Sequence, residues 1–186
     1  LTALSQIIMN NDFDSIVFPS SHAVYDKDGN LEPASVYGLT KLAGEKLIKM
    51  YFKNYWILRL GNPYGYGDNR SMFYHLAQCK LNNKRIPIYS MNEVTRDYFP
   101  VQFVAKTVNQ IIEGKLASGI YNVGTGKGTV VSEFMKNICE KFHIDYDFVE
   151  SEKGVPDGYV PVKDLLQTEQ PNLVEDWEKH YLNRKE

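Results

Sequence analysis

Apolar and polar positions along the chain fall into two alternating periods. The run "SIVFPSS" (15–21) is short and apolar and stops at a proline and two serines, which predicts a strand. "YWILRL" (55–60), "RIPIY" (85–89), "GIYNVG" (119–124) and "YDFV" (146–149) read the same way. Between them the spacing becomes helical. Residues 1–11 predict a helix, as do 71–82 and "VVSEFMKNICEKF" (130–142). Another starts after Ser35, an N-cap residue type, with Leu39, Leu42, Ala43, Leu47, Ile48 and Tyr51 on one side. "VQFVAKTVNQIIEG" (101–114) is amphipathic and ends at Gly114. "HAVYDKDGNLEPA" (22–34) carries a D-G turn signal, and "GNPYGYGDNR" (61–70) is too polar and turn-rich for an element. "VTRDYFP" (94–100) is extended, because the residue before Pro100 disfavours the helical region. The tail from Pro156 reads as loop, followed by a last helix over 173–182.

Strands that alternate with helices predict an α/β protein with a mainly parallel sheet. A parallel strand needs neighbours, and few candidates exist to flank the strand at 15–21.

Bulk properties narrow the function classes. The chain has 186 residues, enough for one domain with a proper core. Its net charge of −2 offers no electrostatic footprint for nucleic acid or an anionic membrane. Its apolar runs are far shorter than a membrane span, and the first residues lack the pattern of a signal peptide. Cys79 and Cys139 stand in unrelated contexts, which fits a reducing, cytoplasmic setting. The four histidines have no metal-ligand spacing, so no metal site is expected.

Two stretches invite chemistry. "VGTGKGT" (123–129) follows a strand and precedes a helix, with Asp145 further on where a ribose-binding acid would stand. Its glycines at 124, 126 and 128 miss the dinucleotide fingerprint, which wants a glycine where Thr129 stands. A tight strand-to-helix turn is the better reading. In "ASVYGLTKLAGEKL" (34–47), Tyr37 and Lys41 lie one turn apart on a helix face, roughly 6 Å between Cβ atoms. A cation held near a phenol favours the phenolate and makes it a usable general base. Ser21 stands at the end of one predicted strand and Asn62 follows another, at the sheet edge where α/β proteins bind ligands.

The ordered series "SSHAVY", "YGLTKLAGEK", "LRLGNPYG", "TRDYFPVQFVA" and "GIYNVGTG" resembles the extended short-chain dehydrogenase/reductase family, the NAD-dependent sugar-nucleotide epimerases, dehydratases and reductases. The resemblance covers about residues 1–150. It implies a partial Rossmann-like, doubly wound parallel sheet plus a small α/β substrate-binding part. Residues 1–60 would belong to the dinucleotide-binding domain, and 61–186 mainly to the substrate-binding part, interleaved with the sheet.

The resemblance also implies roles. Ser21, Tyr37 and Lys41 match the catalytic triad, with Tyr37 as base and Lys41 on the nicotinamide ribose. Tyr37, Lys41, Gly61 and Pro63 match cofactor contacts. Ser21, His22, Asn62 and Arg96 match substrate contacts, with Arg96 clamping the nucleotide phosphates. The implied cofactor is NAD or NADP in the complete protein, the substrate a nucleotide-diphosphate sugar. The implied assembly is a homodimer through the Tyr37 helix. Dehydratases of the family carry an Asp-Glu pair where His22 and Ala23 stand here, which counts against dehydration. An epimerase is favoured, with a keto-sugar reductase as the alternative.

Three departures bear on this. Gln102 stands where the family has an Asp. The late R-x-G-D element is replaced by "EKGVPDGY", with Lys153 as its nearest substitute. No G-x-x-G-x-x-G follows an N-terminal strand. The expectation is therefore a fragment of a longer protein, one piece of a split molecule, or a non-catalytic relative. Alone, such a chain would expose one flank of its parallel sheet and hold NAD weakly or not at all.

Overall fold

The computed structural model describes residues 2–10, 12–90, 94–150 and 165–183. Its centre is a four-stranded, all-parallel sheet in the order β1-β2-β7-β10. These strands are β1 (Ser15–Ser21), β2 (Asn54–Leu60), β7 (Gly119–Gly124) and β10 (Leu165–Gln167). Among the described residues β1 pairs with β2 alone, from Ser15 opposite Asn54 to Ser21 opposite Leu60.

Helix α1 (Thr2–Asn10) and helix α2 (Val36–Tyr51) cover one face of this sheet. α2 begins where its sequence predicts: Ser35 accepts a hydrogen bond from Gly38 N at 3.0 Å. Ile48, Phe52 and Ile57 form the core there, with Leu4, Ile8 and Phe18 against them. Leu58, one residue on from Ile57, points to the opposite face and packs with Phe99, Ile111 and Val123. Ile111 belongs to α4 (Gln102–Ile112). The strand period of two thus places Ile57 and Arg59 towards α2, and Leu58 towards α4.

The remaining elements form a second core. They are β3 (Asn62–Tyr64), α3 (Met72–Leu81), β4 (Ile86–Ser90), β5 (Thr95–Arg96), β6 (Tyr98–Pro100), β8 (Thr129–Val130), α5 (Val131–Phe142), β9 (Tyr146–Glu150) and α6 (Leu173–Trp177). A π turn over Glu178–Leu182 extends α6. Phe73 is fully buried among Tyr64, Tyr98, Phe134 and Tyr181, and Trp177 Nε1 donates to Phe73 O at 2.8 Å. Burying side chains of this size contributes roughly 1.5–3 kcal/mol each.

Two expectations need correction. Part of "GNPYGYGDNR" is a strand, because β3 pairs in parallel with β6, Asn62 opposite Tyr98. The tail is not all loop either: Leu165–Gln167 extend the main sheet beside β7. Residues 151–164 lie outside the described residues, and Lys153 with them.

Candidate active site

The carboxyl ends of β1 and β2 bring Ser21, His22, Gly61 and Asn62 to one side of the sheet, with Tyr37 and Lys41 on α2 and Arg96 on β5. Ser21 is the last residue of β1, and its Oγ accepts from Ala23 N at 3.2 Å, leaving its own proton to donate. The neighbouring Ser20 is buried, and its hydroxyl donates to Glu45 Oε1 at 2.5 Å. Of two adjacent serines, Ser20 is therefore committed to the core and Ser21 faces the strand end.

Tyr37 lies in the first turn of α2 and is 54% exposed. Lys41 Nζ sits 5.6 Å from the Tyr37 ring centroid and donates to Pro19 O at 2.8 Å. It also lies 5.2 Å from the Phe18 ring, so two aromatic faces and a carbonyl hold the cation. Pro19 is two residues before Ser21, so Lys41 ties the helix stripe to the strand that carries Ser21.

Two glycines permit this approach. A Cβ on Gly38 would lie 2.0 Å from Ala23 O, so only glycine lets α2 start against the turn after Ser21. A Cβ on Gly44 would meet Phe18 at 2.8 Å, at the point where α2 crosses β1.

Past the end of β2, Gly61 N donates to Val123 O at 3.0 Å and Asn62 N to Asp97 O at 2.7 Å. A Cβ on Gly61 would lie 2.9 Å from Asp97 O and 3.5 Å from His22 Nδ1. Gly61 and His22 are therefore neighbours across the two strand ends. Pro63 follows in β3, opposite Phe99. Arg96 pairs with Thr129 in the short β5–β8 ladder. Burial pushes the Tyr98 phenol up to about 12, against a smaller opposing effect of the Arg96 charge. Among the described residues, no hydrogen bond or ion pair joins Arg96 to Tyr37 or Lys41.

His22 is largely buried, and its Nε2 has no hydrogen-bond partner among the described residues. Burial lowers its pKa to about 4; Asp97 opposes that shift and Arg59 reinforces it. The ring is neutral at pH 7.

Asp97, hidden behind Arg96 in the sequence, turns out to organise the loops. Its buried carboxylate accepts from Thr125 N and Gly126 N, each at 3.0 Å, and from the Thr125 hydroxyl. The Thr125 and Gly126 amides of "VGTGKGT" are thus turned inward onto a carboxylate, as a tight turn rather than a phosphate cradle. Asp145 is exposed and lies 3.6 Å from Arg85 Nη1. Gln102 opens α4, whose N-cap Val101 makes no side-chain cap bond.

A buried polar chain also escaped the sequence reading. Arg59 forks onto Glu45 with Nε–Oε1 at 3.0 Å and Nη2–Oε2 at 2.6 Å. Arg59 Nη1 donates to the Tyr25 hydroxyl at 2.7 Å, which donates to Asn122 Oδ1 at 2.8 Å. Burial alone would lower the Arg59 pKa, but bonding to Glu45 and Tyr25 raises it. The available signal was one arginine in the otherwise apolar "YWILRL", with a parity that faces α2.

Chemically, α2 and the end of β1 present a phenol, an ammonium and a hydroxyl, linked through Lys41 and the Pro19 carbonyl. That donor set fits the ribose and reacting-carbon side of a nicotinamide and a sugar carbinol. It does not supply a glycine-rich diphosphate cradle, since the Thr125–Gly126 amides are taken by Asp97.

Comparison with known proteins bears on the family and the fold. The family model for the RmlD substrate binding domain matches residues 13–162. A putative UDP-glucose 4-epimerase of Methanocaldococcus jannaschii is 34% identical over 145 residues, 69% of this chain and 47% of that protein. A dTDP-L-rhamnose 4-epimerase of Burkholderia thailandensis is 31% identical over 120 residues, 59% of this chain and 33% of that protein. The chain thus spans about half or less of the curated relatives it matches. Among solved structures, UDP-N-acetylglucosamine 4-epimerase from Methanobrevibacter ruminantium M1, in complex with UDP-N-acetylmuramic acid, superposes with a TM-score of 0.77. It is 21% identical and covers 97% of this chain and 66% of its own, so it speaks to the fold alone. The chain belongs to the RmlD substrate binding domain family, within the extended short-chain dehydrogenases/reductases.

Proposed function

We propose that the full-length protein is an NAD(P)-dependent sugar-nucleotide epimerase, with Tyr37, Lys41 and Ser21 at its reacting centre. The observation that carries this is the Tyr37–Lys41 stripe, anchored to Pro19 O beside Ser21. Tyr37 takes the proton of a sugar hydroxyl, and Ser21 donates a hydrogen bond to the same oxygen. Lys41 exchanges Pro19 O for the nicotinamide ribose and keeps its charge near the phenol. Gly61 and Pro63 line the cofactor side of the loop after β2. Asn62, His22 and Arg96 line the substrate side, with Arg96 on the nucleotide phosphates. The nicotinamide, when bound, supplies the hydride acceptor and donor. Residues 1–60 complete a dinucleotide-binding unit, and 61–186 mainly hold the sugar nucleotide.

Exposed Val36, Leu39, Met50 and Tyr51 on α2 support a homodimer through this helix. Two free cysteines fit a cytoplasmic setting. Among the described residues no helix is long and apolar enough to cross a membrane.

The full-length protein is to be incubated with a panel of UDP- and dTDP-sugars and catalytic NAD(P). An epimer formed without net NADH production or consumption is the expected result. Stoichiometric consumption of NAD(P)H by a keto-sugar, with no epimer, would make it a reductase. Neither reaction would make it a non-catalytic relative.

A further inference from the structure

The Glu45–Arg59 pair is out of place as a source of stability. A buried ion pair often holds a fold no better than well-packed apolar side chains of similar volume. This pair lies in the layer between the sheet and α2, beside the packed side chains of Ile48, Ile57 and Phe18. What it supplies is direction. The guanidinium fork meets the carboxylate through two bonds, which fixes both planes.

Its placement matters more than its strength. Glu45 follows Lys41 by four residues and Tyr37 by eight, so all three lie along one stripe of α2. Ser20, which bonds the same carboxylate, precedes Ser21. Arg59 precedes Gly61 by two residues on β2. Tyr25, which receives Arg59 Nη1, follows His22 by three residues. Asn122 of β7 closes the chain. One hydrogen-bonded unit therefore grips the segments that carry Ser21, His22, the Tyr37–Lys41 stripe and Gly61.

We infer that the Ser20–Glu45–Arg59–Tyr25 network is a positioning device that sets the rotation and axial register of the Tyr37–Lys41 stripe against Ser21 and Gly61. This rests on the catalytic reading given above. Apolar side chains could fill the same space and hold α2 on the sheet, but they would not fix its rotation. Turning α2 moves the Tyr37 oxygen relative to Ser21, and near-attack geometry is sensitive to shifts of about 1 Å.

The test compares three variants of the full-length protein with wild type: the double variant Glu45→Leu/Arg59→Met, the conservative Arg59→Lys, and Tyr25→Phe. Thermal midpoint, kcat, KM and the Tyr37 ring resonance in ¹³C-tyrosine-labelled protein are read together. The double variant is expected to keep or raise the thermal midpoint while kcat falls ~10- to 100-fold. KM for the sugar nucleotide should stay within about 3-fold, because uniform binding is untouched. The Tyr37 resonance should move, and Tyr25→Phe should show the same signs more weakly. Arg59→Lys keeps the charge and loses the fork, so it should fall between. Unchanged kcat and an unmoved Tyr37 resonance in a folded double variant would overturn the inference. If that variant does not fold, the same two readings on Tyr25→Phe and Arg59→Lys decide. Tyr37→Phe runs beside them. Should it retain full turnover, the catalytic reading fails by itself, and the positioning role is judged on the Tyr37 resonance.

Discussion

Lys41 Nζ lies 5.6 Å from the centre of the Tyr37 ring while it donates to the carbonyl of Pro19 at 2.8 Å. A pair spaced at i and i+4 on a helix is often just a surface contact. Here the cation is also bonded to the strand that ends in Ser21, which ties the contact to that strand end. Removing the cation without removing its aliphatic stem separates the two roles. Lys41→Met in the full-length protein should lower kcat at neutral pH by at least ~10²-fold, with partial recovery at higher pH. A pH–rate profile checks this, and an unaltered profile speaks against the role of Lys41.

Gly38 is the residue most sensitive to a single added methyl. A Cβ there meets the Ala23 carbonyl at 2.0 Å and Pro33 Cβ at 2.8 Å, and backbone cannot move aside as a side-chain end can. Gly38→Ala should cost about 3 kcal/mol in urea unfolding. It should also weaken turnover, because the start of α2 must retreat from the turn after Ser21.

Asp97 joins the loop after β2 to the turn after β7. Its carboxylate takes both Thr125 donors and the Gly126 amide. Asp97→Asn puts an N–H₂ where an acceptor is required and should destabilise the protein by about 2–3 kcal/mol. Equilibrium denaturation measures it. A change below about 0.5 kcal/mol would mean the turn has other support.

His22 gives a pH dependence of defined sign. Its folded pKa of about 4 lies below the unfolded value of 6.5. Above pH 6.5 both states are neutral there, and the full stability is present. As pH falls from 6.5 towards 4, the unfolded chain binds a proton that the folded one refuses, so stability drops. Below 4 both states are protonated and the slope from this group vanishes. Asp97 and Arg59 are the charged groups that tune the shift. His22→Asn should flatten the stability profile between pH 6.5 and 4 by up to about 3 kcal/mol.

The 186-residue chain by itself is expected to bind NAD with a Kd above roughly 1 mM. The glycine-rich turn at 123–129 is folded onto Asp97, and the outer edge of β1 is unpaired among the described residues. Calorimetric titration checks this, and a micromolar Kd would contradict it.

The order of helices and strands was legible because apolar periodicity is local. β1, α2, β2 and β7 lie within a residue or two of their predicted bounds, and Ser35 caps α2 as its type suggests. β10 was missed because three residues carry no period; its identity comes from pairing with β7. The buried face of α2 was read only in part. Leu39 and Tyr51 belong to the apolar side yet are exposed, whereas Glu45 is 2% exposed. Hydrophobicity could not locate Glu45, because its burial depends on Arg59, fourteen residues away on another element. Asp97 was hidden for the same reason: its partners lie 28 and 29 residues on. Ser21, Tyr37 and Lys41 were singled out by motif order, and the geometry adds which of two serines faces the strand end.

The most direct measurement is a single-turnover assay of hydride transfer in the full-length protein, with a nucleotide sugar that wild type epimerises. Tyr37→Phe keeps the ring beside Lys41 and removes only the hydroxyl. With circular dichroism and substrate binding unchanged, NADH formation should fall by at least ~10³-fold. NADH formation at the wild-type rate in a folded Tyr37→Phe variant would contradict the assignment of this strand-end cluster as the reacting centre.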